Sequence, residues 1–478
     1  MVYQKLTFLL FSLSILLFSC AEDSYKPVDP TVKPELGELK PVDLPKLKHY
    51  QLENGLRVVI VENHEIPIVS VYAVFKAGVV DEPADLEGLA RMTTRLMEEG
   101  TSSKNSEDFA SSMEYYGAKF ETHADYEAIT IGVTTLRENL EPSFELFSEM
   151  VLSPAFDQDE YNKLRQREIN HLKSYSKNPG AQANRLFLKI LYGGHPYGHS
   201  LLGNENTIPR ISLENVKDFY RKYFVAANGL LVFTGDISTA LAKRLADEYF
   251  AKMIKGLENL HDYATPPNDK PLKIYFVESS QKEQAAIRIG LIGIDYYYPD
   301  LHSSILMNNI LGGYFSSRIN SYLREEKGWT FGIKTKLVLR QKPGPFFFAG
   351  TVNADKADSA IVYVLQQFKE ITKIPVSDEE INNAKGYLSG RFALETETAE
   401  QIAKKIYVLL RYNISPDFFE NYRRNIMNVG KSDITDAANH IIKPHHLSVV
   451  VVGPPELAKK LKKIAPISIY SEDLIPRY

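Results

Sequence analysis

Short runs of β-branched and aromatic residues alternate along this chain with longer stretches in which apolar residues recur every three or four positions. The short runs are typical of strands and the longer spacing is typical of amphipathic helices. Residues 57–63 and 273–279 predict strands. Asp157 and Ser377 each precede acidic residues that open a helical pattern, and both are predicted N-caps. This mixture of elements predicts an α+β fold in packed layers.

The same order of elements occurs twice. Four landmarks of the first half recur in the second half at offsets between about 213 and 220 positions. They are the strand-like runs at 57–63 and 273–279, the helical stretches ending at Gly100 and Gly313, the helix openings at 156–161 and 376–381, and the apolar runs ending at Gly235 and Gly453. A steady offset at four landmarks indicates one duplicated α/β unit. It predicts two homologous sandwich-like units, each a mixed sheet with helices packed on it.

Breaker residues and composition divide the chain into five predicted segments. A proline-rich stretch with interspersed charges is typical of an extended tether, and the prolines at 266 and 267 mark a linker between the two units. The predicted segments are a signal peptide at 1–20, a tether at 21–47, an N-terminal unit at 48–253, a linker at 254–271 and a C-terminal unit at 272–470.

The N-terminus resembles a bacterial lipoprotein signal. Lys5 provides a positive charge, and Leu6 to Phe18 is an apolar run of thirteen residues, too short to cross a bilayer. Residues 17–20, Leu-Phe-Ser-Cys, resemble a lipobox, in which the cysteine is acylated and becomes the first residue of the mature protein. The resemblance implies lipidation at Cys20 and a bacterial cell-envelope location, on the periplasmic or surface face. The alternative is an ordinary secretory signal with an incidental cysteine.

Charge and cysteine content exclude other classes. The 478 residues carry 56 basic and 60 acidic side chains, a formal net charge of −4, which argues against broad binding to nucleic acid. Cys20 is the single cysteine of the chain, so an intramolecular disulfide cannot form. Without another thiol, and with no defensible Ser-His-Asp arrangement, a self-sufficient enzyme that uses a nucleophile is disfavoured.

Residues 88–101, Gly-Leu-Ala-Arg-Met-Thr-Thr-Arg-Leu-Met-Glu-Glu-Gly-Thr, resemble the zinc-motif helix of the pitrilysin and mitochondrial processing peptidase family, the inverted zinc peptidases. Active members carry His-x-x-Glu-His there, and a third ligand, a glutamate, follows about 76 residues later. In this chain Arg91 and Arg95 stand at the two histidine positions and Thr94 at the glutamate position. His171 stands at the position of the distant ligand.

These substitutions predict that the chain holds no catalytic metal. Arginine stays protonated and offers no lone pair to a metal, and threonine is not a base near neutral pH. A second interpretation is compatible with the first. Arg91 lies four residues after Glu87 and Arg95 four before Glu99, so both arginines can form ordinary helical ion pairs. His195 and His199 have ligand-like spacing, but the intervening proline and glycine predict a loop.

Residues 311–318 and 323–332 resemble the second signature of the family. In relatives an arginine and a tyrosine seven residues later hold substrate carbonyls near the zinc of the opposite domain. Arg324 stands at the arginine position and Phe331 at the tyrosine position, so the ring is kept and the hydroxyl donor is lost. A solvated charged turn is an equally weighted interpretation of 324–327, and Tyr314 or Tyr322 could supply another hydroxyl.

The resemblance covers about residues 48–464 and implies a function. Similar proteins form half of a clamshell chamber, and a metal-free chain pairs with a zinc-bearing chain of the same family. The implied role is a non-catalytic subunit that positions an extended peptide along a sheet edge, with Arg324 acting in trans and the zinc in the partner. The alternative is a structural or peptide-binding scaffold lipoprotein with no part in proteolysis.

Overall fold

Two mixed β-sheets, each covered by helices, make up the part of the chain that the computed structural model describes, residues 46–261, 263–267 and 270–477. This confirms the predicted α+β class. Cys20 and most of the predicted tether lie outside the described residues, so both stay predictions. The described residues of both halves belong to one compact unit.

The first sheet has six strands, in the order β1-β2-β6-β3-β5-β4. β2 and β6 run parallel, with Arg57 opposite Leu230 and Glu62 opposite Gly235, and the other neighbours are antiparallel. β4 is therefore an edge strand. The strands are β1 Lys48–Gln51, β2 Arg57–Glu62, β3 Ile68–Phe75, β4 Lys119–Ala124, β5 Ile129–Leu136 and β6 Gly229–Gly235.

Seven α-helices accompany these strands in the chain. Asp157 caps the fourth helix, because its carboxylate accepts the backbone N–H groups of Asp159 and Glu160, which confirms the predicted N-cap. The helices are α1 Leu89–Met97, α2 Ser106–Tyr115, α3 Leu140–Leu152, α4 Gln158–Tyr175, α5 Pro179–Tyr192, α6 Leu213–Tyr223 and α7 Thr239–Phe250.

The second sheet repeats the arrangement of the first. Its seven strands have the order β13-β12-β7-β11-β8-β10-β9, so that β7-β11-β8-β10-β9 matches β2-β6-β3-β5-β4. β7 and β11 are parallel, as β2 and β6 are. This topology agrees with the predicted duplication. The strands are β7 Lys273–Glu278, β8 Gln284–Ile292, β9 Ile333–Leu337, β10 Pro345–Asn353, β11 Ser448–Gly453, β12 Ile467–Tyr470 and β13 Pro476–Arg477.

The helices of the second half include two π-helical turns, Asn309–Gly313 and Ser321–Glu326. Ser377 forms a capping box with Glu380, as predicted for an N-cap. Within the described residues, no helix has the length and hydrophobicity needed to cross a membrane. The α-helices are α8 Leu301–Asn308, α9 Arg318–Asn320, α10 Ala357–Glu370, α11 Asp378–Leu394, α12 Ala399–Arg411, α13 Asp417–Glu420, α14 Tyr422–Asn428, α15 Lys431–Ile441 and α16 Leu457–Leu461.

The two halves exchange one helix each. α12 of the second half packs on the first sheet, where Ile402, Ala403 and Ile406 meet strand residues such as Val59 and Val232. α5 of the first half packs on the second sheet in the same way. The two helices occupy equivalent places in the duplicated unit, so the exchange is reciprocal. Each sheet thus obtains part of its apolar cover from the other half, and the predicted domain boundaries at 253 and 272 stay predictions.

A buried carboxylate joins the halves at their seam. Glu127, in the turn before β5, is almost completely buried and accepts five hydrogen bonds. The donors come from the first half, the linker and the second half: the hydroxyls of Tyr197, Tyr263 and Tyr412, the Gln341 N–H and the Arg411 guanidinium. Burial alone would raise the pKa of Glu127, but Arg411 and the hydroxyls outweigh it and hold the pKa below its ordinary value. We call these residues the seam cluster.

Candidate functional site

The helix α1 carries the predicted motif, and a buried glutamate holds its first turn. Its N-cap is Gly88, at φ +98°, which has no side chain to accept the free amides. The carboxylate of Glu82 accepts the N–H of Gly88 at 2.9 Å and of Ala90 at 2.8 Å. Burial raises the pKa of Glu82 well above its ordinary value. Glu82 therefore holds the first turn of α1 through contacts that do not involve the motif residues.

Arg91 forms a two-pronged ion pair with Glu168 of α4. Its Nε lies 3.2 Å from Glu168 Oε2, and its Nη2 lies 3.2 Å from Oε1. Glu168 is buried and Arg91 is about one third exposed. The predicted helical pair with Glu87 is wrong, because Glu87 instead accepts the Ser200 N–H and the Asn204 amide. Glu168 on the neighbouring helix offers Arg91 two parallel hydrogen bonds, a geometry typical of strong arginine–carboxylate pairs.

Arg95 also has a carboxylate partner, though not the predicted one. Its Nη1 lies 2.9 Å from Oε2 of Glu98, three residues later. Glu98 also accepts the hydroxyl of Thr122 on the edge strand β4, and burial raises the pKa of Glu98. Glu99 binds Arg167 of α4 instead, so the predicted Arg95–Glu99 pair is wrong. We call Arg91, Arg95, Glu98 and Glu168 the motif cluster.

Thr94 and His171 take no part in that ion-pair network. The buried Thr94 hydroxyl donates to the backbone carbonyls of Ala90 and Arg91, at 3.2 and 2.9 Å. His171 is exposed and stacks on Tyr175, with ring centroids 5.8 Å apart. The structure therefore keeps Arg91, Thr94 and Arg95 together on α1 but separates His171 from them.

Glu168 is the residue that sequence reasoning missed, although the pattern of α4 contained a signal for it. The buried positions of this helix are Tyr161, Leu164, Glu168 and Leu172, a spacing of three and four that marks one helical face. A glutamate within an otherwise apolar stripe requires a partner on the facing element. Arg91 is that partner.

The second signature lies on a π-helical turn of the other half. The guanidinium carbon of Arg324 lies 4.2 Å from the centre of the Phe315 ring, and its Nε lies 3.5 Å from Glu325. Phe331 is 90% exposed. Tyr314 stacks on Tyr387 of α11 and Tyr322 on Tyr363 of α10, with centroids 5.0 and 3.9 Å apart. In the described residues, no hydrogen bond or ion pair joins Arg324 to the motif cluster.

The predicted loop at 195–199 is confirmed. Pro196–Gly198 form a single 3₁₀ turn. His195 accepts the Tyr197 N–H on Nδ1 at 3.0 Å and donates from Nε2 to the Ala264 carbonyl at 2.9 Å. The Nδ1 bond closes the local turn, and the Nε2 bond ties the predicted linker to the first half.

Comparisons with known proteins agree with this duplicated layout. The family model described as "Insulinase (Peptidase family M16)" matches residues 57–205, and "Peptidase M16 inactive domain" matches residues 210–388. Together they span most of the chain. The chain belongs to peptidase family M16. This confirms the resemblance to the pitrilysin and processing peptidase family.

Individual M16 relatives cover nearly the same length. Two from Helicobacter pylori are "Zinc protease PqqE", 23% identical, and "Non-peptidase homolog YmxG", 21% identical, each covering 86% of this chain and 94% of the relative. A crystal structure of a peptidase M16 inactive domain from Pseudomonas fluorescens is 26% identical, with a TM-score of 0.80, and covers 85% of this chain and 98% of that chain.

The motif cluster does not fit the zinc of family M16. Of the four motif positions, Arg91 and Arg95 are guanidinium groups, Thr94 uses its hydroxyl within its own helix, and His171 is exposed and stacked on Tyr175. The neighbouring Glu168 is paired with Arg91. Across the described residues, no three histidine, cysteine, aspartate or glutamate side chains are grouped as a metal would require. The match to the M16 inactive-domain model and to a relative named a non-peptidase homolog supports a non-catalytic member of the family.

Proposed function

We propose that this chain is the non-catalytic, substrate-positioning subunit of a two-chain zinc metallopeptidase. A separate zinc-bearing chain of family M16 would supply the metal and the hydrolytic chemistry. The observation that carries the proposal is the ion pair of Arg91 with Glu168, which fills the place of a zinc ligand with a neutral, packed contact. A helix whose former ligand positions are closed in this way can serve as a scaffold but not as a metal site.

The relatives support a division of labour between two chains. Helicobacter pylori contains both a chain named a zinc protease and a chain named a non-peptidase homolog, and each aligns with almost the whole of the present chain. A family that keeps both kinds of chain in one organism can form chambers from one of each. In such a chamber, Arg324 of this chain would hold a substrate carbonyl beside the partner's zinc.

The location is part of the same proposal. Acylation of Cys20 would hold the body at a membrane surface of the bacterial cell envelope, because each buried methylene adds to membrane affinity. The peptide or unfolded-protein substrate would then be met outside the cytoplasm. Cys20→Ser should release the protein from the membrane fraction, and unchanged fractionation would contradict lipidation.

A scaffold without a role in proteolysis is the second candidate. The observation that favours it is Phe331, which lacks the hydroxyl of the family tyrosine. Tyr314 and Tyr322, the two other candidate hydroxyls, are each stacked on another tyrosine. If the missing hydroxyl is essential to the trans contribution, the chain serves assembly alone.

Reconstitution distinguishes the two candidates. The purified chain is titrated into a zinc-bearing M16 chain from the same organism while peptide hydrolysis is followed. We expect activity to rise to a plateau at one chain per partner, and Arg324→Ala to lower that plateau by roughly tenfold or more. Arg424→Ala, an exposed arginine of α14, is the matched control. Equal plateaus for Arg324→Ala and the unsubstituted chain would favour the scaffold.

A further inference from the structure

The helix α16 and the turn after it form an amphipathic segment. Its buried side chains are those of Leu457, Ala458 and Leu461. The helical turn continues beyond the end of α16, because the Lys463 N–H donates to the Lys460 carbonyl at 3.2 Å. Lys459, Lys462 and Lys463 are exposed, and their spacing of three and four places them on one side of the segment.

The helix α10 lies beside α16 and extends this surface. The ammonium group of Lys460 donates to the Asp355 carbonyl at 3.0 Å and lies 3.6 Å from the carboxylate of Asp358, in the first turn of α10. Since β10 and β11 both run antiparallel to β8, α10 and α16 start from the same end of the second sheet. Val362 and Lys369 are exposed on α10, and their spacing of seven places them on one helical face.

The turn that ends α10 is ordered although its side chains are exposed. The N–H groups of Lys373 and Ile374 donate to the Glu370 carbonyl at 2.8 and 2.7 Å. Ile374 is nevertheless 56% exposed, and Val362 is 49% exposed. Two apolar side chains on ordered backbone therefore accompany the lysines. We call Val362, Lys369, Lys373, Ile374, Lys459, Lys462 and Lys463 the basic face.

Within the described residues, the five lysines of the basic face form no ion pair. The acids of α10 are engaged elsewhere: Asp358 faces Lys460, and Glu370 accepts two glutamine side-chain amides of its own helix, at 2.6 and 2.8 Å. Glu456 precedes α16, at the opposite end of that helix from Lys463. The basic face is thus a local excess of positive charge on a chain whose net charge is −4, and it attracts anionic partners.

We infer that the basic face binds a phospholipid bilayer that carries anionic headgroups. The lysines supply attraction to the headgroups, and the apolar side chains of Val362 and Ile374 enter the boundary beneath them. Sequence-independent binding to single-stranded nucleic acid uses aromatic side chains on which bases stack, and this face has none. The inference extends the proposed membrane location: an acyl group at Cys20 and a basic patch are two signals that act together, and the patch determines which side of the body meets the bilayer.

Vesicle co-sedimentation tests this without the acyl group. The chain is purified from residue 21 onward, which keeps all of the described residues. It is mixed with vesicles of phosphatidylcholine alone, or of phosphatidylcholine with one third phosphatidylglycerol, in low and in high salt. We expect roughly tenfold or tighter binding to the anionic vesicles in low salt, and loss of that preference in high salt, since salt screens the attraction.

Two sets of substitutions locate the contact. The triple variant Lys459→Gln, Lys462→Gln, Lys463→Gln should weaken binding to the anionic vesicles by roughly tenfold or more. The double variant Val362→Ser, Ile374→Ser should weaken binding by a smaller factor, because it removes apolar contact and keeps every charge. The matched control removes the same charge from three exposed lysines of the first half that form no ion pair within the described residues, and should change binding less than about twofold. It is Lys173→Gln, Lys177→Gln, Lys189→Gln.

Equal affinity for both kinds of vesicle, or equal losses in the two lysine triple variants, would overturn the inference. Tighter binding to a short DNA duplex than to the vesicles, lost in the same triple variant, would also overturn it in favour of a nucleic-acid partner. Lipidation is tested separately by fractionation of Cys20→Ser after a high-salt wash. Membrane retention of that variant would contradict lipidation and leave the vesicle result standing.

Discussion

Two regions of this protein use arginine in opposite ways. In the motif cluster, Arg91 and Arg95 each lie against a carboxylate, and Glu168 and Glu98 are themselves largely withdrawn from water. In the second signature, Arg324 lies over the Phe315 ring, which is itself more than half exposed. In the first arrangement both guanidinium charges are neutralised by carboxylates of the chain itself, and the Arg91–Glu168 pair also joins α1 to α4. In the second arrangement the guanidinium packs on a ring and remains about one third exposed.

The seam cluster also pairs an arginine with carboxylates, and it is more deeply buried than the motif cluster. Substitutions in it should have the largest effect on the free energy of unfolding. Glu127→Ala would leave Arg411 without one of its two carboxylates and remove the carboxylate to which three tyrosine hydroxyls donate. We expect the free energy of unfolding to fall by about 3–5 kcal/mol. Urea denaturation measures this free energy. Glu107→Ala, which changes an exposed glutamate of α2, is the control and should change it by less than about 0.5 kcal/mol.

Breaking the ion pair of the motif cluster should also lower the free energy of unfolding, but by less. Glu168→Ala leaves the partly exposed Arg91 without its partner. It should lower the free energy of unfolding by about 1–3 kcal/mol in the same urea experiment. The double variant Arg91→Met, Glu168→Leu should recover most of that loss, because an apolar pair replaces a buried ion pair at little cost. If Glu168→Ala is as stable as the unsubstituted chain, the motif cluster is not the structural contact described above.

Lowering the pH should change the stabilising contributions of Glu127 and Glu98 in opposite directions. The pKa of Glu127 is lowered in the folded chain, so its stabilisation is present above the unfolded pKa near 4.3 and is lost as the pH falls further. Burial raises the pKa of Glu98, so its relative stabilisation is present below that pH and is lost as the pH rises through the folded pKa.

Urea denaturation between pH 3.5 and 7 checks these signs. We expect the stability advantage of the unsubstituted chain over Glu127→Gln to shrink on acidification. Its advantage over Glu98→Gln should move in the opposite direction. If both stability advantages changed in the same direction with pH, Glu127 and Glu98 would have the same kind of environment, which would contradict the contacts described above.

Local patterns predicted the elements of this fold well. The duplicated strands and the caps at Asp157 and Ser377 follow from short-range sequence, and the structure contains them. The exchange of α5 and α12 could not be predicted, because an amphipathic helix specifies that one face is buried but not which sheet buries it. The equivalent positions of the two helices make the exchange reciprocal.

For the motif cluster too, the local sequence did not specify the tertiary partner of each residue. The positions of Arg91, Thr94 and Arg95 on one helix were predictable from spacing. Spacing alone favoured partners within the helix, whereas the structure pairs Arg91 with a glutamate 77 residues away. Only the buried stripe of α4 contained that information.

Metal content is the most direct test of the central claim that this M16 chain holds no catalytic zinc. The purified chain is incubated with a slight excess of zinc, exchanged into metal-free buffer and analysed for elemental zinc per chain, with a zinc-bearing M16 chain treated in parallel. We predict far less than one zinc per chain for this protein and one for its relative. One tightly held zinc per chain, lost on Glu168→Ala, would contradict the account.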